Sequence, residues 1–213
     1  MLKNVFKSIL LVSAMLLMAA SPSLANGDEK TTKESPKAVE LREEFRDLWL
    51  GHIFWVRNVV LSTKLGDAEA AKIAEENVVK NARAIADAVA PFYGKDAADK
   101  LFGLLAGHYG AVKEYLTVSN SGDKTGKEAA VVKIKKNATE LAAFLSSANP
   151  YWPYETLVSL LFAHGGHHVA QINALNEKNY SSEAQISLLM KNHMNMIADA
   201  LGKGIVKQFP TKF

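Results

Sequence analysis

The sequence contains no cysteine. That absence excludes a disulfide framework, a thiolate zinc site, a cysteine nucleophile and a thiolate-held iron–sulfur cluster. It also excludes covalent haem attachment, which needs Cys-x-x-Cys-His. No stretch shows sustained strand alternation, and there is no Gly-x-Gly-x-x-Gly, phosphate loop or Gly-x-Ser-x-Gly. Charge of one sign is lacking too: 25 Lys+Arg stand against 22 Asp+Glu, a net +3, so there is no global basic field for a nucleic-acid partner. Disorder is excluded by 48% hydrophobic and 22% charged residues.

One long apolar run is present, Ile9 to Ala20, preceded by Lys3 and Lys7 and followed by the small-x-small site Ser23-Leu24-Ala25. It is short for a bilayer span of roughly 20 residues. Residues 1–25 therefore read as a signal peptide, which predicts an exported protein, periplasmic or extracellular, with no stable membrane anchor after cleavage. Removing them takes away two lysines and no acid, lowering the net charge from +3 to +1. Residues 26–35 read as a polar linker and 36–213 as a single helical-bundle domain. The partner is not specified beyond a second protein or self-association.

From residue 36 onward apolar residues recur at helical spacing. The breakers predict six helices over 36–64, 67–90, 96–119, 124–147, 153–178 and 181–207, hence an all-α antiparallel bundle with short connections. Pro36 and Pro153 suit first turns, and Asp67, Asp96 and Ser181 suit caps.

An internal repeat organises these helices. Leu48-Trp49-Leu50-Gly51-His52 recurs as Leu104-Leu105-Ala106-Gly107-His108 and as Leu160-Leu161-Phe162-Ala163-His164, each 56 residues on. Phe45, Leu101 and Leu157 form another column at that spacing, and Asn81, Asn137 and His193 a third. The expectation is three pseudo-repeated hairpins of 56 residues. His52 lies on the apolar stripe of its helix with Phe45, Leu48, Val56 and Val60, and Asn81 lies mid-stripe on the next. Each His is as far from its turn as its Asn partner, so the spacing predicts that His52 faces Asn81, His108 faces Asn137 and His193 faces His164, all in one polar layer.

Three readings of that layer stay open. It is a structural layer of satisfied polar pairs. It is a transition-metal site for Zn, Cu, Ni or Fe, with His164 and His168 at i,i+4 and His52, His108 and His193 as further ligands. Or it holds an organic or haem ligand. No carboxylate shares the layer and no Glu-x-x-His occurs, so a ferritin-like di-iron site is excluded. His167 is left for an outer face. Gly165-Gly166 reads as close helix packing or as a ligand's approach to the His cluster. Arg57 reads as a surface residue, or else as a buried charge closing the bundle mouth. Lys133, Lys135 and Lys136 read as a solvated face. Phe92, Tyr93, Tyr151, Trp152 and Tyr154 read as core plugs or a docking patch.

Two stretches carry a resemblance: Leu48-Trp49 to His52 with Trp55 and Arg57, and His193-Met194-Asn195-Met196-Ile197-Ala198-Asp199-Ala200-Leu201 followed by Gly204 to Phe213. They resemble a family of small exported bacterial all-helical proteins, some of which carry an acetylglutamate kinase label. The resemblance implies the helical fold and supplies no catalytic residues. A kinase finds no phosphate loop or strand–helix alternation here. The functional expectation is a non-enzymatic binding or structural protein whose sharpest form is transition-metal binding. The alternative is an enzyme using a His acid/base in a pocket near Gly165-Gly166.

Overall fold

The computed structural model describes residues 34–213; the expected leader and most of the expected linker lie outside them. The described residues form six helices and no strand: α1 (Pro36–Leu65), α2 (Ala68–Tyr93), α3 (Lys95–Ser121), α4 (Lys124–Ala148), α5 (Tyr154–Asn176) and α6 (Tyr180–Gln208), closed by a 3₁₀ turn Pro210–Lys212. Helix ends fall within three residues of the expected ones. The largest departure is at α2, which runs through Pro91 to Tyr93 and ends where the Gly94 N–H donates to the Ala90 carbonyl. Pro91 lies in the last turn, so it forfeits the single helical bond to the Asp87 carbonyl, and the helix ends two residues later. No helix of the described residues is long and apolar enough to cross a membrane.

Three tight turns share one construction. Asp67, Asp123 and Asn179 each donate a backbone N–H to the carbonyl five residues back, at 3.0, 3.0 and 2.8 Å. Each then caps the following helix with its side chain, accepting from Ala70, Gly126 and Ser182. This joins a Schellman ending to an Asx cap with no residue between. The preceding residue is left-handed in all three, at Gly66 (φ 77°), Gly122 (φ 74°) and Lys178 (φ 55°). Asn179 is therefore the cap where Ser181 was expected, and Asp96 lies in the first turn of α3 without capping it.

Each helix packs on its neighbours in sequence, and α6 closes the ring on α1. Helices α3 and α5 also meet, and α5 touches α1. The odd-numbered helices thus converge inside the bundle. Two apolar clusters fill it. One, toward the α2–α3 and α4–α5 connections, includes Phe45, Trp49, Leu101, Leu105, Leu161 and Met194. The other, toward the three tight turns, includes Val56, Val60, Val78, Val112, Ile134 and Ile172. Burying such side chains stabilises the fold by about 1.5–3 kcal/mol each. Along α1, α3 and α5 the histidines fall between the two clusters.

The aromatic corner residues divide. Trp152 is buried, donates its indole N–H to the Leu201 carbonyl at 3.2 Å, and lies so close to Gly204 that no side chain fits there. Tyr93 donates to Gln208 and accepts from the buried Asn149. Phe92 stacks on Phe213. Tyr151 and Tyr154 remain exposed. Lys133, Lys135 and Lys136 are solvated as expected, with Lys133 paired to Glu114.

Candidate metal centre

Four histidines meet where the odd helices converge: His52 from α1, His108 from α3, and His164 and His168 from α5. They are 3%, 6%, 2% and 1% exposed. All six ring-to-ring separations lie between 4.5 Å (His164–His168) and 6.1 Å (His52–His108). One nitrogen from each ring lies within 4.8 Å of the corresponding nitrogen of every other. The four rings are therefore the corners of a small tetrahedron.

The electrostatics keep these rings neutral. Burial away from water pushes His52 down to about 3, helped by the nearby His108, and pushes His108 down to about 4. His164 and His168 fall well below the ordinary value through burial and the surrounding histidines. At neutral pH each ring thus carries one N–H and one lone pair, the form in which imidazole binds a metal.

The hydrogen bonding is incomplete. The rings make one bond, His168 Nε2 with His164 Nε2 at 3.2 Å. His52 Nδ1, His108 Nε2 and His164 Nδ1 are buried and have no partner among the described residues. A satisfied polar layer would pair these atoms, because an unpaired buried polar group costs about 1–3 kcal/mol.

The second ring of polar residues does something other than face the histidines. Asn81 Nδ2 donates to the Leu48 carbonyl at 3.0 Å, Asn137 Nδ2 to the Leu104 carbonyl at 3.0 Å, and His193 Nε2 to the Leu160 carbonyl at 2.8 Å. Each accepting carbonyl lies four residues before a cluster histidine and has a second lone pair beyond its helical bond. Small residues make the approach possible. A Cβ on Gly51 would lie 3.0 Å from Asn81 Nδ2, and one on Gly107 3.2 Å from Asn137 Nδ2. The expected His–Asn and His164–His193 pairings are replaced by side-chain clamps onto the neighbouring backbone.

Of the five expected ligands, the structure brings together His52, His108, His164 and His168 and leaves His193 outside. His193 is partly buried, with its ring 5.3 Å from His167. His167, itself partly buried, is lowered by that burial and by His193. Asn81 and Asn137 are clamps with no place in the tetrahedron. Gly165 answers to close packing, since a Cβ there would lie 2.6 Å from Ile134 Cγ2 on α4.

One buried network was missed from sequence. Arg57 holds the buried Glu183 in a two-bond fork at 2.6 and 2.9 Å, while its own side chain stays 41% exposed. Gln171, one turn beyond His168, donates to Glu183 at 3.0 Å and to Ser187 at 2.9 Å. Glu183 is the one buried carboxylate among the described residues, and Arg57 holds it below the ordinary carboxylate range. The signal was present: Glu183, Ser187, Met190, Met194, Ile197 and Leu201 continue a single apolar stripe at spacings of three and four.

The donor set is four neutral nitrogens with no thiolate and no carboxylate. Zn–N bonds of about 2.0–2.1 Å in a tetrahedron put adjacent nitrogens about 3.3–3.4 Å apart. The His164–His168 pair already stands near that, at 3.2 Å. Such a set suits Zn, Cu, Ni or Fe rather than Ca or Mg, which take oxygen. No family model, curated protein or solved structure matches the chain.

Proposed function

We propose that this protein is an exported, non-enzymatic metal-binding bundle that holds one transition-metal ion on His52, His108, His164 and His168. The observation that carries the reading is the tetrahedral convergence, between two apolar clusters, of four neutral imidazoles, three of which keep a buried ring nitrogen without a partner among the described residues. A further comparison supports it. Residues 56 positions before His168 and 56 before that are Val112 and Val56, both buried core valines. A histidine in such a place forfeits apolar burial and adds polar atoms that need partners. Residues that work against the core point to a site.

The enzyme alternative draws no support from this geometry. Rings that are 1–6% exposed offer no substrate a route to an acid/base nitrogen. The cavity beneath the layer is about 20 Å³ and lined by apolar side chains.

His168→Val separates the metal reading from the purely structural one. The unaltered, tag-free protein should take up one equivalent of Zn, Cu, Ni or Fe by elemental analysis. The variant should lose that ion while its metal-free melting temperature holds or rises. A fall in melting temperature with no metal in either protein would leave a structural layer, and failure of the unaltered protein to take up any of the four metals would overturn the proposal. Export predicts a mature N-terminus at Asn26, read by N-terminal sequencing of the secreted or periplasmic protein.

A further inference from the structure

The tetrahedron is sealed, so an ion must pass through the bundle wall to reach it. We infer that His167 and His193, at the seam between α5 and α6, form a second, transient metal site through which the ion enters and leaves; this rests on the four-His reading above. The sequence places these two histidines, and no others among the described residues, outside the tetrahedron. Their rings are 5.3 Å apart at 63°. Both are partly buried, so each ring keeps some contact with solvent. His167 sits three residues after His164 and next to His168, on a helix where residues three apart are neighbours.

In the neutral ring, the hydrogen bond of His193 selects the tautomer. A carbonyl can only accept, so the 2.8 Å contact with Leu160 fixes the proton on Nε2. Nδ1 is then the nitrogen with the lone pair, ready for a metal. A metal-binding His oriented by a backbone carbonyl through its other nitrogen is the usual supported arrangement. Asn81 and Asn137 make the same clamp to the same carbonyl position with an amide, which offers no such lone pair. What histidine adds at position 193, beyond the clamp, is a ligating nitrogen.

That comparison supplies the control. His193→Asn keeps the clamp and removes the ligand; His167→Gln removes the second nitrogen from the seam. Zn²⁺ is mixed with the full metal-free chain in a stopped-flow instrument against a chromophoric chelator, and the ion is afterwards stripped with excess chelator. We expect the double variant to reach the same stoichiometry and Kd as the unaltered protein, with loading and release both slowed at least tenfold, and each single variant to lie between. Equal end points with unchanged rates overturn the port and leave the tetrahedral site standing. Loss of binding in the double variant, with melting temperature unchanged, also overturns it, because the pair would then be part of the permanent site. No Zn²⁺ uptake by the unaltered protein, with none of Cu, Ni or Fe either, overturns both readings.

Discussion

The first two hairpins and the third solve one packing problem with different residues. The turns carry Gly66 and Gly122 in the first two and Lys178 in the third, all left-handed. The clamps are Asn81 and Asn137, then His193. The small residue beneath each of the first two clamps is Gly51 and Gly107, and the residue 56 positions after Gly107 is Ala163. Core Val56 and Val112 give way to His168, and buried Val59 and Tyr115 to Gln171. The lysine at the turn, His168 and Gln171 are all unfavourable for folding, and four of the six histidines belong to the third hairpin. The first two hairpins read as scaffold, with one cluster histidine each; the third carries the departures that a scaffold alone does not need.

Acidification should have the largest effect. An unfolded His takes a proton near pH 6.5, whereas His52 and His108 resist it to about 3 and 4. Between those values the unfolded chain binds more protons, so stability is full above about pH 6.5 and falls as pH falls. Each ring contributes up to about 1.4 kcal/mol per pH unit. Chemical denaturation of the metal-free protein from pH 7 to 4 should show the slope of several protons, and His168→Val should flatten it by about one. A flat profile would mean that the rings are protonated in the native state.

The Arg57–Glu183 pair spans α1 and the start of α6 and ties the third hairpin to the first. Arg57→Ala leaves a buried carboxylate with only neutral partners, and should cost about 3 kcal/mol, below the upper end for buried pairs because Arg57 is partly solvated. Urea denaturation at pH 7 measures it. Restoring charge balance with Glu183→Gln in the same chain should recover part of the loss.

The clamps come next. Gly51→Ala pushes a methyl against Asn81 and should cost about 1–2 kcal/mol beyond any gain in helix propensity. His193→Asn should cost under about 0.5 kcal/mol, since the bond to Leu160 survives. A large loss from His193→Asn would show that the third clamp is not equivalent to the other two.

Lys178→Gly makes the third turn like the first two and should stabilise by about 1 kcal/mol, by relieving a left-handed residue that bears a Cβ. Thermal unfolding of the metal-free chain detects that shift. No change would mean that the lysine side chain has contacts that offset its strain.

The helical fold was legible because the same signals recur. Apolar stripes at three-and-four spacing and a left-handed position followed by Asp or Asn mark where each hairpin runs and turns. Equal distance from the turn correctly put His52, His108 and His164 at one height. It misjudged where the side chains point. Height along a bundle says nothing about whether a polar group turns inward to a ring or sideways to a backbone carbonyl; Gly51 and Gly107 decide that by leaving the carbonyl uncovered. His168 joins the cluster although it lies one turn along α5 from His164, because that turn is only about 5.4 Å, a distance that a ring leaning toward the N-terminus closes. Glu183 and Gln171 escaped notice because a charged or amide residue on an apolar stripe reads as a break in it, unless its partner, here Arg57 from a distant helix, is known.

X-ray absorption at the metal edge of the loaded, full-length protein tests the central claim most directly. A four-histidine site gives a first shell of four nitrogens at about 2.0 Å with the outer-shell pattern of imidazole, reduced by one ring in loaded His108→Ala. A first shell dominated by oxygen, or an unchanged spectrum in that loaded variant, would contradict it.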